Sequence, residues 1–151
     1  MNQINLYVGC DHAAYDFKNQ LIQNFSQQSR YQLVDKGCYG PDRCAYPDYA
    51  FPVIKALATD TTGRGLLICG SGIGMSIVAN RFSGIRAALC RSEEDARLAR
   101  QHNNSNILCL GARQTSFELA VRIIETWLIT DFEGGRHQDR LNLFDSLGTP
   151  L

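Results

Sequence analysis

The sequence predicts an α/β fold, a three-layer α/β/α sandwich with a five-stranded parallel sheet. Three observations carry this prediction. Short apolar runs of strand length alternate with segments of helical periodicity from end to end. Those runs are apolar without a polar partner face, as in strands covered on both sides. One junction, residues 66–82, reads directly as strand, glycine turn and helix. At 151 residues the chain suits one domain with a sizeable core. No repeat, low-complexity segment or linker divides it, so a single domain over 1–151 is expected.

The elements follow in order. Ile4-Asn5-Leu6-Tyr7-Val8 is a strand, ended by Gly9-Cys10-Asp11-His12. From Ala14 to Phe25, the spacing of Phe17, Leu21, Ile22 and Phe25 predicts a helix. A second strand, Tyr31 to Val34, leads into the turn-rich stretch from Asp35 to Pro47, and a helix is expected over 48–58 with Pro52 in its first turn. Leu66-Leu67-Ile68 forms the third strand, followed by the glycine turn and a helix through Ile77-Val78-Ala79-Asn80-Arg81-Phe82. Arg86 to Cys90 is the fourth strand, and Ser92-x-x-Asp95 opens the helix running to Arg100. Ile107 to Leu110 is the fifth strand. Thr115-x-x-Glu118 reads as a capping box before a helix carrying Leu119, Ile123, Ile124 and Trp127 on one face.

Fifteen basic and fifteen acidic residues cancel, so neither nucleic acid nor an anionic membrane is expected as partner, and anion binding must be local. The N-terminus lacks the basic and apolar regions of a signal peptide, and no apolar run nears the ~20 residues of a membrane helix; a cytoplasmic protein is expected. Cys10, Cys69, Cys90 and Cys109 each end a predicted strand, where free cysteine behaves as a small hydrophobe. There is no C-x-x-C pair, and the histidines are not spaced with cysteines as a zinc site requires. Neither disulfides nor a metal is expected.

The most informative stretch is Cys69-Gly70-Ser71-Gly72-Ile73-Gly74-Met75-Ser76. Glycines at alternate positions let the backbone approach a ligand and turn several N–H groups toward one point. The following helix aims its positive dipole end there, and Cys69 ends the strand in that field. Such a turn suits chemistry on a negatively charged intermediate. A dinucleotide loop is disfavoured, because Met75 stands where the third glycine of G-x-G-x-x-G belongs and the loop follows the third strand. A triphosphate loop fails for want of a Lys-Ser/Thr pair. Taken alone, the glycines equally suit a plain connection.

In a Rossmann-like sheet, ligands bind beyond the carboxyl ends of the strands. Those ends are Asp11-His12, the loop from Arg43 to Tyr46, residues 69–74 and Gly111-Ala112-Arg113. His102 and Asn103 lie at the end of the fourth helix, where an imidazole can simply cap carbonyls. Arg136 and Arg140, one helical turn apart after Gly134-Gly135, suit a phosphate or, equally, a solvated basic face.

Taken in order, these pieces resemble the ribose-5-phosphate isomerase B family, which also contains the galactose-6-phosphate isomerase subunits. The matching motifs are Gly9-Cys10-Asp11-His12, Asp35-Lys36-Gly37, Tyr46-Pro47-Asp48-Tyr49-Ala50, Cys69 to Gly74, Asn80-Arg81-Phe82-x-Gly84-Ile85-Arg86-Ala87, Arg100-Gln101-His102-Asn103, Gly111-Ala112-Arg113 and Glu133-Gly134-Gly135-Arg136-His137. The resemblance implies an aldose–ketose isomerase of the pentose phosphate pathway, working through an enediolate without metal or cofactor. It implies Cys69 as the base, since the glutamate used by another branch is replaced here by Met75. It implies His102 as the ring-opening acid, histidine being a residue type that exchanges protons near neutral pH. Asp11 and Asn103 match positions that hold sugar hydroxyls. His12, Arg113, Arg136 and Arg140 match the phosphate-contacting set. Ser71 would assist proton movement between two oxygens, and Tyr46, with Gly70, Gly72, Ile73 and Gly74, would line the substrate, the loop N–H groups serving as an oxyanion hole.

The resemblance further implies a homodimer, or a dimer of dimers, with residues 133–151 reaching the partner's site. Ala45 departs from the aspartate common in the family, and the segment after Leu147 is short. Within the class, a six-carbon substrate such as allose 6-phosphate or galactose 6-phosphate is the rival reading. Galactose-type proteins work as two different chains, one lacking parts of the site, whereas this chain retains every matched group. A non-catalytic sugar-phosphate sensor would need the arginines but not Cys69 or His102. A redox sensor built on Cys69 would leave His102 and the arginines unexplained.

Overall fold

The computed structural model describes residues 3–28 and 30–148. Its elements run β1 (Ile4–Cys10), a 3₁₀ turn (His12–Ala14), α1 (Tyr15–Phe25), β2 (Tyr31–Asp35), α2 (Tyr46–Thr59), β3 (Arg64–Cys69), α3 (Ile73–Ala79), β4 (Ala87–Leu89), α4 (Glu93–Gln101), β5 (Ile107–Gly111), α5 (Phe117–Ile129) and α6 (Arg136–Asn142). The five strands form one parallel sheet in the order β2-β1-β3-β5-β4. The expected α/β architecture is therefore present. No helix among the described residues is long and apolar enough to cross a membrane.

Strand alternation divides the core in two. Leu6, Val8, Leu66, Ile68, Leu108 and Leu110 pack on one face with Leu21 and Phe25 of α1, Ala96 of α4, and Ile123, Ile124 and Trp127 of α5. Leu67, Cys69, Ile107 and Cys109 pack on the other with Val53, Ile54 and Leu57 of α2, and Met75 and Ala79 of α3. Burial on both faces explains why the strands read as continuous apolar runs. Cys10 and Cys69 end their strands as expected, whereas Cys109 lies in the middle of β5.

Several boundaries differ from the sequence reading. Helix α2 begins at Tyr46, so Pro47 occupies its first turn and Pro52 falls in its interior. The apolar face of Ala50, Val53, Ile54 and Leu57 overrides the proline, and the carbonyl four residues earlier belongs to exposed Asp48, within reach of water. Helix α3 begins at Ile73, which brings Gly74 into its first turn. The cap of α5 is Ser116, whose Oγ accepts the N–H of Leu119 at 3.2 Å; Thr115 is buried instead. Ser92 caps α4 as expected by accepting the N–H of Asp95.

Lys18 is a charged residue on the buried face of α1, in line with Leu21 and Phe25, and its side chain is 0% exposed. Its Nζ donates to Asp35 Oδ1 at 2.6 Å and to the carbonyl of Cys38 at 2.8 Å. Asp35 also accepts the N–H of Gly37, so one buried cation ties α1 to the root of the β2–α2 loop.

Ala45 is the N-cap residue of α2, in extended conformation (φ −85°, ψ 128°) and without a side-chain cap bond. The aspartate missing here would be a helix cap. Ala45→Asp should therefore stabilise the fold by roughly 0.5–2 kcal/mol, read as a Tm rise of about 2–4 °C per kcal/mol in thermal unfolding.

Candidate active site

The chain steps from β1 outward to β2, then crosses back to β3 on the other side of β1. The direction of winding thus reverses between β1 and β3, where a crevice opens beyond their carboxyl ends. Asp11 follows β1 there, its N–H donating to the carbonyl of Ile68 and its Oδ1 accepting the N–H of Ala13 at 3.0 Å. His12 follows, with Nδ1 3.2 Å from both the N–H and the carbonyl oxygen of Cys44. In either tautomer that ring ties the β2–α2 loop to the end of β1. Backbone bonds from Cys10 to Gly37 and from Cys38 to Cys10 reinforce the seam.

The glycine loop folds back over β5. Gly72 has φ 76°, and a Cβ there would lie 2.8 Å from the carbonyl carbon of Leu110. A Cβ on Gly111 would lie 2.6 Å from that of Ser71. Only glycine permits both approaches. The Gly72 N–H donates to Cys69 Sγ at 3.1 Å, and the Ile73 N–H to Ser71 Oγ at 3.2 Å. Two of the N–H groups expected to form an oxyanion hole are thus engaged within the loop. Across the crevice, the Tyr46 ring covers Gly74, where a Cβ would come within 2.7 Å of it, and the Arg113 guanidinium lies over Gly70.

The result is a cleft of about 340 Å³ lined by Asp11, Tyr46, Cys69, Gly70, Ser71, Gly74, Arg113 and Gln114. Seven of these are residues expected from sequence. Gln114 was missed; its only signal is its position one residue past Arg113 at the end of β5. Met75, in the place of the alternative glutamate, is 0% exposed and packs in the core.

His102, Asn103, Arg136 and Arg140 do not join this cleft. His102 is the C-cap of α4, and the chain passes from there through Ser105 and Asn106 into the start of β5, whereas Cys69 pairs with Gly111 at its end. The four steps from Ile107 to Gly111, at ~3.3 Å each, set the two ends of β5 roughly 13 Å apart. At this opposite end of the strands, the N–H of Glu133 donates to the carbonyl of Gln101, which docks the segment before α6 on α4. Arg86 Nε donates to the carbonyls of Asn103 and Asn104, and Arg100 Nη1 to the carbonyl of Ser105 at 2.6 Å. Burial pushes Arg100 down to about 10. The His102 and His137 rings stack with centroids 4.3 Å apart and planes at 14°.

His102, Glu133 and His137 each bring one potential ligand atom within 4.8 Å of the others. In-plane lone pairs on two nearly parallel rings do not converge on one ion, however, and Arg136 and Arg140 add positive charge beside His137. The cluster is poorly suited to a metal.

Comparison with known proteins bears on both clusters. A family model described as Ribose/Galactose Isomerase matches residues 6–144. Ribose-5-phosphate isomerase B of Escherichia coli K12 is 40% identical over 92% of this chain and 93% of its own length. The crystal structure of a ribose 5-phosphate isomerase from Thermotoga maritima superposes with a TM-score of 0.92 at 41% identity, covering 97% of this chain and 100% of that one. Ribose-5-phosphate isomerase B from Mycoplasma genitalium, solved with bound ribulose-5-phosphate, gives 0.90 at 35% identity and covers 96% of each chain. With the sheet, the glycine loop and the cleft all falling inside the matched span, the chain is an isomerase of the ribose/galactose isomerase family.

Proposed function

We propose that this isomerase interconverts D-ribose 5-phosphate and D-ribulose 5-phosphate through an enediolate, with Cys69 as the base. The observation that carries the reading is the cysteine at the cleft wall. Its sulfur is held by the Gly72 N–H, while Met75 is withdrawn into the core and Asp11 spends one oxygen on Ala13. A thiol is therefore the proton-transfer group on the glycine loop, and Asp11 is left to hold a sugar hydroxyl.

The site is completed by a second chain. Within one chain the two clusters lie at opposite ends of the strands, and exposed apolar side chains flank both: Phe51, Ile73 and Ile77 on α2 and α3, Leu143, Phe144 and Leu147 after α6. A homodimer that covers these faces brings His102, Asn103, Arg136 and Arg140 of the partner subunit over the cleft. His12 and Arg113 then share the phosphate with the partner's arginines. His102 of the partner subunit protonates the furanose ring oxygen as the C1 hydroxyl gives its proton to solvent water, and the ring opens to the aldehyde. Cys69, as thiolate, takes the C2 proton; the negative O1 is met by the loop donors of Ser71 and Gly74. The Ser71 hydroxyl passes a proton from O2 to O1, and Cys69 returns its proton to C1, giving the ketose. Six free thiols, all buried except the half-buried Cys44, suit a reducing cytoplasm.

Purified protein should turn over ribose 5-phosphate with higher kcat/KM than allose 6-phosphate or galactose 6-phosphate. A preference for either six-carbon sugar would overturn the substrate assignment. Cys69→Ala should lower kcat by roughly 10²–10⁴-fold with little change in KM, because phosphate and hydroxyl contacts dominate binding. Near-normal turnover would refute the assigned base.

The shared site has its own test. Cys69→Ala and Arg136→Ala/Arg140→Ala proteins should each be inactive alone, since lost charge-assisted contacts cost about 1.5–3 kcal/mol each. Mixed and reassembled, about half the dimers are hybrids with one intact site of two, so recovery should approach about a quarter of wild-type activity. No recovery after proven subunit exchange would refute sharing.

A further inference from the structure

His137 has no part in the mechanism above, yet its placement is unusual. It is 6% exposed, and its Nε2 has no hydrogen-bond partner among the described residues. Glu133 Oε2 lies 3.5 Å away, within ion-pair distance but without a hydrogen bond. Buried polar atoms are seldom left this way, so a compensating role is expected. The ring is held from behind: the His137 N–H donates to the carbonyl of Gly134, and Glu133 anchors the segment to Gln101 at the end of α4. In front it lies face to face with His102 at 4.3 Å. His102 itself is half-buried, and no side-chain hydrogen bond orients its ring among the described residues. The stack is what fixes the plane of that imidazole.

We propose that His137 is a positioning residue for ring opening: its buried ring, stacked on His102, sets the plane in which His102 presents its N–H to the sugar ring oxygen. The proposal rests on the reading of His102 as the ring-opening acid. Electrostatics supports the division of labour. Two imidazolium rings at this separation repel, which disfavours charging both. Burial, then the charge of His102, then Arg136 and Arg140 all push His137 toward its neutral form, opposed only by Glu133. His137 is therefore held toward its neutral form, as a platform for the His102 ring. A neutral aromatic face also stabilises a cation stacked on it.

The test compares His137→Ala with His137→Phe, which keeps a flat ring and deletes the nitrogens. His137→Ala should lower kcat on ribose 5-phosphate by roughly ten-fold or more with KM nearly unchanged. It should leave C1 proton exchange of ribulose 5-phosphate, which needs no ring opening, near wild type. His137→Phe should restore most of the lost turnover. In parallel, the His102 ring resonances in NMR spectra should shift in the alanine variant, as the ring current of the stack is lost, and return toward their original positions in the phenylalanine variant. Equal loss of turnover and proton exchange, or a phenylalanine variant as impaired as the alanine one, would overturn the proposal. His102→Asn separates the two ideas. If it leaves ribose 5-phosphate turnover intact, the acid assignment fails and the proposal falls with it. If it impairs turnover while His137→Ala does not, the positioning role alone fails.

Discussion

The cleft depends on two backbones passing closer than any side chain would allow. Gly72 rests against the Leu110 carbonyl carbon and Gly111 against that of Ser71, so the loop leaving β3 folds down on the end of β5. That contact sets everything above it. It turns the Gly72 N–H back onto the Cys69 sulfur, lets the N–H of Arg113 reach the Gly70 carbonyl, and starts α3 under the Tyr46 ring. A methyl group at either glycine would lift the loop and separate sulfur, hydroxyl and guanidinium together. The chemistry of the edge is thus a property of backbone sterics before it is one of side chains.

How much of this was legible in the sequence follows from which forces are local. Strands were readable because burial on both faces demands unbroken apolar runs, and the Ser92 cap because its partner lies three residues away. The glycine loop announced itself through spacing. What failed was set by contacts distant in sequence. Thr115 and Ser116 are equally good caps locally, and the burial of Thr115 decides between them. Pro52 is a helix breaker until four apolar neighbours need one face covered. The partners that let Lys18 be buried, Asp35 and Cys38, lie 17 and 20 positions away, where no local pattern points to them. The candidate site residues can be named from sequence, but sequence carries no ruler: only the length of β5 reveals that they form two clusters.

Splitting the clusters gives each its own surroundings. Cys69 sits against the core, beside a packed helix, where water is scarce. His102 lies at a helix end, half in solvent, on a platform of docked loop and neutral ring. A buried thiol and a water-accessible imidazole have opposed needs, and a single edge of the sheet would meet one at the expense of the other. Arg86 and Arg100, spent on carbonyls around residues 103–105, give the second edge a rigidity that its short turn would otherwise lack.

The buried cation of Lys18 has a further consequence, for ionic strength. Exposed ion pairs are weakened by dissolved salt because counterions crowd around both partners, over a Debye length of about 8 Å at physiological concentration. Here no solvent reaches the ammonium, and the carboxylate is open on one side only. Counterions can screen Asp35 from without but cannot enter between the charges. The tether from α1 to the root of the loop that carries Cys44 and Tyr46 is therefore weakened by salt much less than an exposed pair would be. The wall of the cleft inherits an anchor that responds little to the salinity around it.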